Sequence, residues 1–220
     1  ETTLRNRCRE FVNEFRKRRA NSLVIYACKA FINPAIAMLL QEEGLGLDVV
    51  SGGELSVAQR VEFPAEKIYF HGNNKSPDEI DMALDYGIGR FVIDNFHEIL
   101  LLSEAARRRG IVQDVLIRIS PSIDPHTHSY TTTGTLDSKF GFPIETGQAE
   151  EAIIKTMAEK NLNLLGLHFH LGSPIFELEP YSKAIEVTLE FSKTVGLPLK
   201  ELSPGGGFAI SYTKEQAPPS

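Results

Sequence analysis

The chain has 220 residues, is 42% hydrophobic and 24% charged, and carries a formal net charge of −6. That composition belongs to a soluble globular α/β protein with room for one large core. Basic residues cluster only at Arg16 to Arg19 and Arg107 to Arg109, near predicted helix ends, so a nucleic-acid footprint is missing. No apolar run approaches the ~20 residues needed to span a bilayer.

The charged, helical N-terminus shows no signal peptide. Cys8 and Cys28 are the only cysteines and form no ligand-spaced pair, which fits a reducing cytoplasm. A helix over about Leu4 to Arg19 comes first. Strands are then expected at Leu23 to Ala27, Leu47 to Val50, Lys67 to Phe70, Arg90 to Ile93, Asp114 to Ile119, Leu164 to Phe169 and Leu199 to Leu202, with helices between them. Ser51 with Glu54 and Ser76 with Glu79 read as capping boxes, Pro77 takes a first helical position, and Asn95 with Glu98 resembles a third box. Gly110 and Gly196 sit where C-caps belong. In the last helix Tyr181, Ala184, Ile185 and Leu189 follow the helical period.

Strict β/α alternation implies a parallel sheet, because parallel strands need crossover connections. No Gly-x-Gly-x-x-Gly follows the first strand, which argues against a dinucleotide-binding unit and for a (β/α)8 barrel. Seven strands are found, where a complete barrel usually takes about 250 residues. The chain, ending in the polar tail Thr213 to Ser220, is expected to be a barrel truncated after its seventh strand and part of a longer polypeptide.

Ligands of such folds bind at the carboxyl ends of the strands, so those places are compared. Lys29 closes the first strand and is either a solvated capping lysine or the amine that forms Schiff bases with carbonyl compounds. The run His71-Gly-Asn-Asn-Lys75 after the third strand is a loop or a contact for anionic ligands. Arg118, inside an apolar strand, needs an anionic partner, and both Asp48 and a carboxylate ligand qualify. His168 and His170 share a face. A metal would need further ligands, with His71 the only nearby histidine. No metal site is expected, and His168 reads instead as a satisfied core histidine while His170 is free to lie against a flat aromatic ligand. Gly205, Gly206 and Gly207 form either a flexible turn or a loop whose bare N–H groups cradle phosphate. A lysine, a stacking histidine and a phosphate-ready turn on one face together describe a pyridoxal phosphate site.

With these residues the chain resembles the fold-type III pyridoxal-phosphate decarboxylases over nearly its whole length. The carriers are Tyr26-Ala-Cys-Lys-Ala30, Asp48-Val-Val-Ser-Gly-Gly-Glu-Leu55, His71-Gly-Asn-Asn-Lys-Ser76, Arg118-Ile-Ser-Pro121, His126-Thr-His128 with Thr133-Gly134, Ser138-Lys-Phe-Gly141, His168-Phe-His-Leu-Gly-Ser173 and Pro204-Gly-Gly-Gly-Phe208. Three of them (His71 to Ser76, His126 to His128, Ser138 to Gly141) favour the diaminopimelate branch over the ornithine and arginine branches. The resemblance implies that Lys29 holds the cofactor covalently, that His170 stacks on its ring, and that Ser173 and Gly205, Gly206 and Gly207 contact its phosphate. It implies that Asp48 and Arg118 line the site, and it leaves His71, Asn73 and Lys139 without a chemical step. Phe31 and Pro174 depart from the family pattern, which bears only on the detail of the pocket wall. The implied reaction is decarboxylation of meso-diaminopimelate to L-lysine in a cytoplasmic homodimer. Another amino-acid decarboxylase or racemase of this fold, or a non-catalytic barrel-only homologue, is the alternative. The family pattern continues into an eighth strand and a β domain that complete the site, so residues 1–220 are expected to be an incomplete barrel domain with little activity alone.

Overall fold

The computed structural model describes residues 1–123 and 139–211. The runs His126 to His128 and Thr133-Gly134, Ser138 of the Ser138 to Gly141 run, and the tail from Thr213 lie outside the described residues. Helix α1 (Thr2–Arg18) is followed by β1 (Ile25–Ala27), α2 (Pro34–Glu42), β2 (Gly46–Val49), α3 (Gly52–Arg60), β3 (Ile68–Phe70), α4 (Pro77–Tyr86), β4 (Arg90–Ile93) and α5 (Phe96–Arg109). Then come β5 (Gln113–Ser120), the short β6 (Phe142–Pro143), α6 (Gln148–Ala158), β7 (Leu162–His168), α7 (Glu179–Thr194) and β8 (Glu201–Ser203). Seven strands pair in the order β1-β2-β3-β4-β5-β7-β8, every pairing parallel, and β6 adds to β5 off this path through Ile119 and Phe142.

The sheet curls into an open (β/α) barrel. Two residue sets alternate along its strands, as the period of two demands. Leu47, Val49, Ile68, Phe70, Phe91, Ile93, Val115, Ile117, Leu167 and Phe169 belong to the large core, to which the helices also contribute. Tyr69, Val92, Leu116 and Leu165, with Ile25 against them, form a second, inner cluster. Burial on both faces is the usual state of a parallel sheet.

Polar residues at the amino ends of the strands tie the curl together. The Tyr69 hydroxyl on β3 donates to Glu201 Oε1 on β8 at 2.6 Å, although three strands lie between them along the sheet. Arg90 on β4 reaches Glu201 Oε2 (3.1 Å) and Asp114 Oδ2 (3.0 Å), and Asn163 Nδ2 donates to Asp114 Oδ1 (2.6 Å). Along the open side between β1 and β8, Phe15, Leu23 and Leu189 stay exposed.

The helix caps depart from expectation at two helices, α3 and α5. Ser76 and Glu79 make the full reciprocal box at α4. At α3 the Ser51 hydroxyl accepts from Glu54 N, but the Glu54 carboxylate reaches past Ser51 to Val50 N at 2.8 Å. Glu98 behaves likewise: its N–H donates to Asn95 Oδ1, while its carboxylate takes Asp94 N. Gly110 caps α5 at φ +66°, and Gly196 follows α7 at φ +68°.

Candidate cofactor site

Lys29, Asp48, Arg118, His170, Ser173 and the Gly205–Gly207 turn, brought from β1, β2, β5, β7 and β8, all line one cavity of about 1820 Å³. It opens at the carboxyl ends of the strands and runs inward as far as Arg90 and Glu201. Lys29 is exposed, in a turn that Ala30 N closes onto Ala27 O at 3.1 Å. The turn is fastened to β2 by Cys28 N donating to Asp48 O at 2.9 Å.

Asp48 is the most perturbed acid of the cavity. Burial pushes its carboxyl up to about 7, against the opposing pull of the Lys29 charge. Its Oδ2 lies 3.9 Å from His71 Nε2, and its buried Oδ1 has no hydrogen-bond partner among the described residues. His71 and His168 meet edge to face at 4.6 Å, and burial holds both imidazoles well below their ordinary range. His168 Nδ1 sits 2.9 Å from Ser203 Oγ, the satisfied core histidine expected of it. His170 is half-buried. Burial, then the Lys29 and Arg118 charges, lower it to about 4, so it is neutral at neutral pH and presents an uncharged ring to the cavity. Among the described residues no group of three or more His, Cys, Asp or Glu side chains is placed to hold a metal ion.

Arg118 takes a different partner from Asp48. Its Nη1 donates to Asp94 Oδ1 at 3.3 Å, and its guanidinium lies over the Phe140 ring at 4.6 Å. Asp48 acts on it only through the longer-range field. Asp94 follows β4 directly, and its other oxygen accepts Gly141 N at 3.1 Å. Asp94 was legible as a polar residue at a strand end, but its place before the Asn95 cap concealed it. Asn73 and Lys139, left without a step above, touch one another: Asn73 Nδ2 donates to Lys139 O at 3.4 Å, and Asn95 Nδ2 donates to Asn73 O at 3.3 Å.

The glycine turn is a built feature rather than a slack one. Gly205 (φ +75°) and Gly207 (φ +97°) occupy left-handed backbone. A Cβ on Gly205 would lie 2.6 Å from Phe169 O and 3.0 Å from His170 Nδ1, and one on Gly207 would lie 2.0 Å from Gly172 O. Ile175 N donates to Gly207 O (2.8 Å), and the Tyr181 hydroxyl of α7 donates to Gly206 O. The N–H groups of the three glycines donate to no acceptor among the described residues. Tyr181 went unnoticed as an anchor because its helical spacing reads as core.

The family described as "Pyridoxal-dependent decarboxylase, pyridoxal binding domain" matches residues 1–220. The chain belongs to this family. As a pyridoxal-binding domain its cofactor is pyridoxal phosphate, and the residues present fit one. The unengaged glycine N–H groups suit a phosphate anion, and the orphaned Asp48 Oδ1 suits a polar ring substituent. The domain is 45% identical to diaminopimelate decarboxylase of Bacillus subtilis (strain 168) over 98% of this chain and 50% of that protein. Diaminopimelate decarboxylase from M. jannaschii, solved with L-lysine, superposes with a TM-score of 0.88 at 34% identity, covering 98% of this chain and 50% of that one. The Helicobacter pylori enzyme, also with L-lysine, gives 0.83 at 30%, covering 97% and 55%. The chain thus spans about half the length of the relatives it matches.

Proposed function

We propose that this chain is the cofactor-binding barrel domain of a diaminopimelate decarboxylase, which removes carbon dioxide from meso-diaminopimelate to leave L-lysine. The observation that carries the reading is the convergence of Lys29, His170 and the Gly205–Gly207 turn on one cavity at the carboxyl ends of the strands. Bound pyridoxal phosphate supplies the electron sink for the carbanion left when carbon dioxide departs.

The chain's own residues bind, orient and move protons. Lys29 Nζ would hold the cofactor covalently, as lysine amines do with carbonyl compounds. His170, neutral at working pH, would lie against the cofactor ring. Ser173 and the N–H groups of Gly205, Gly206 and Gly207 would hold its phosphate. Arg118, clamped by Asp94, lines the polar wall, and Asp48, titrating near neutrality, takes up or returns a proton within the field of Lys29. The rest of the site, a β domain and the second subunit of a cytoplasmic homodimer are assigned to the remainder of the full-length enzyme.

The test is direct. Purified chain incubated with pyridoxal phosphate and reduced with borohydride should gain one cofactor adduct, mapped to Lys29 and absent in Lys29→Ala. A full-length enzyme carrying this domain should release carbon dioxide from meso-diaminopimelate in preference to ornithine, arginine or lysine. An adduct elsewhere, or preference for another amino acid, overturns the assignment.

A further inference from the structure

Four charged residues are linked in series from the helix layer to the cavity, and the chemistry assigned above uses only the last two of them, Asp94 and Arg118. Lys75 and Glu98 have side chains 1% and 3% exposed and meet at 2.7 Å, Nζ to Oε1. All three ammonium hydrogens of Lys75 are engaged, since it also donates to Gly72 O and Val92 O at 2.8 Å each. The second oxygen of Glu98 accepts Asp94 N at 3.2 Å. Asp94 in turn holds Arg118 and Gly141 N. Burying an ion pair this deeply costs several kcal/mol per ion before the attraction offsets it, so such a pair is weak evidence of a stability device. Its contacts join the loop after β3 to the end of β4, where Asp94 stands.

We infer that Lys75 and Glu98 are positioning residues for Arg118: the buried pair fixes Asp94, and Asp94 sets the guanidinium in the cavity wall. The inference rests on the placing of Arg118 in the cofactor site. The reason a carboxylate is required is arithmetic. Glu98 serves two donors, Lys75 Nζ and Asp94 N, with two acceptor oxygens, whereas glutamine has one. Glu98→Gln must therefore turn an NH2 donor toward one of them, and the charged Lys75 ammonium, the stronger donor, keeps the oxygen, so Asp94 N loses its acceptor. Removing Lys75 as well leaves a single donor for the single amide oxygen, so Lys75→Met/Glu98→Gln keeps the hold on Asp94.

Phenylglyoxal labelling of the purified chain without cofactor, followed by peptide mass spectrometry, reads Arg118 directly. Arg90, clamped by Asp114 and Glu201 at the inner end of the same cavity, is the internal control. Glu98→Gln should speed labelling at Arg118 about tenfold, the scale of one charge-assisted hydrogen bond, and leave Arg90 unchanged. The double variant should return Arg118 to the wild-type rate, and Asp94→Asn should raise it at least as far as Glu98→Gln. An unchanged Arg118 rate in Glu98→Gln or Asp94→Asn, no rescue in the double variant, or Arg118 and Arg90 rising together overturns the inference. If Glu98→Gln does not fold, Asp94→Asn is compared with the double variant, and equal Arg118 rates in those two overturn it. Borohydride trapping at Lys29 reports the cofactor reading separately, so either can fail while the other stands.

Discussion

Gly207→Ala should cost far more than Gly206→Ala one residue earlier. Position 207 has φ +97°, and its new Cβ would lie 2.0 Å from Gly172 O, where real contacts stay above 3.0 Å. A non-glycine residue in that backbone region costs of order 1–3 kcal/mol. Relieving the contact must part the turn from the β7–α7 loop and break the Ile175 N to Gly207 O bond, a further loss of about 1 kcal/mol. A total near 3 kcal/mol corresponds to roughly a hundredfold weaker binding of pyridoxal phosphate if the loss falls on the bound state. A Cβ at Gly206 meets nothing within 4 Å and needs no left-handed backbone, so its affinity should stay within about threefold of wild type. Absorbance titration with pyridoxal phosphate measures the affinity, and urea melts of the same proteins show whether the strain appears as stability instead. Equal losses in the two variants, or a Gly207→Ala protein with wild-type affinity and stability, would refute the reasoning.

Lys75→Met alone leaves Glu98 buried and uncompensated, so urea melts should show a loss of about 3–5 kcal/mol, with a smaller loss in the double variant. The cavity's titrations oppose one another. His170, lowered to about 4, contributes stability that is complete above about pH 6.5 and is lost as pH falls toward 4, and His71 and His168 act in the same direction. Asp48, raised to about 7, contributes stability that is present below its ordinary 3.8 and lost as pH rises through 7. The stability gained by Asp48→Asn relative to wild type, in cofactor-free chain, should therefore grow between pH 5 and pH 8, and a pH-independent difference would contradict this. Because the chain spans half of its relatives, it should turn over meso-diaminopimelate negligibly alone; a carbon dioxide assay showing turnover near that of a full-length enzyme would contradict that.

Much of the fold was legible because it rests on neighbours in sequence. Ser76, Pro77 and Glu79 announce α4 within four residues, and Arg90 to Ile93 matches β4 at both ends. Lys29 and the glycine turn could be read as strand-end features, since alternation of β and α fixes which strand ends share a face of the barrel. Longer reaches were not legible. Arg118 lies on β5 beside β4, so its register favours Asp94 one strand away over Asp48 on β2, but register appears only once the strands are paired. The Lys75–Glu98 pair joins the loop after β3 to the first turn of α5, 23 residues away, where the Asn95 cap by itself accounts for an acidic residue at position 98. The two-residue β6 carries no periodicity at all.

The contacts of Glu201 with Tyr69 and Arg90 matter for more than the residues involved. A row of strands joined only to its immediate neighbours is an arc that can flatten or tighten by small changes in twist. A side chain stretched from one limb to the other is a chord, and a chord fixes curvature. It spans the lower end of the cavity, so thermal flexing of the limbs there is limited without any covering at the upper end. The spacing between Lys29 on one limb and the glycine turn on the other is thereby inherited from a hydrogen bond made at the opposite pole of the molecule.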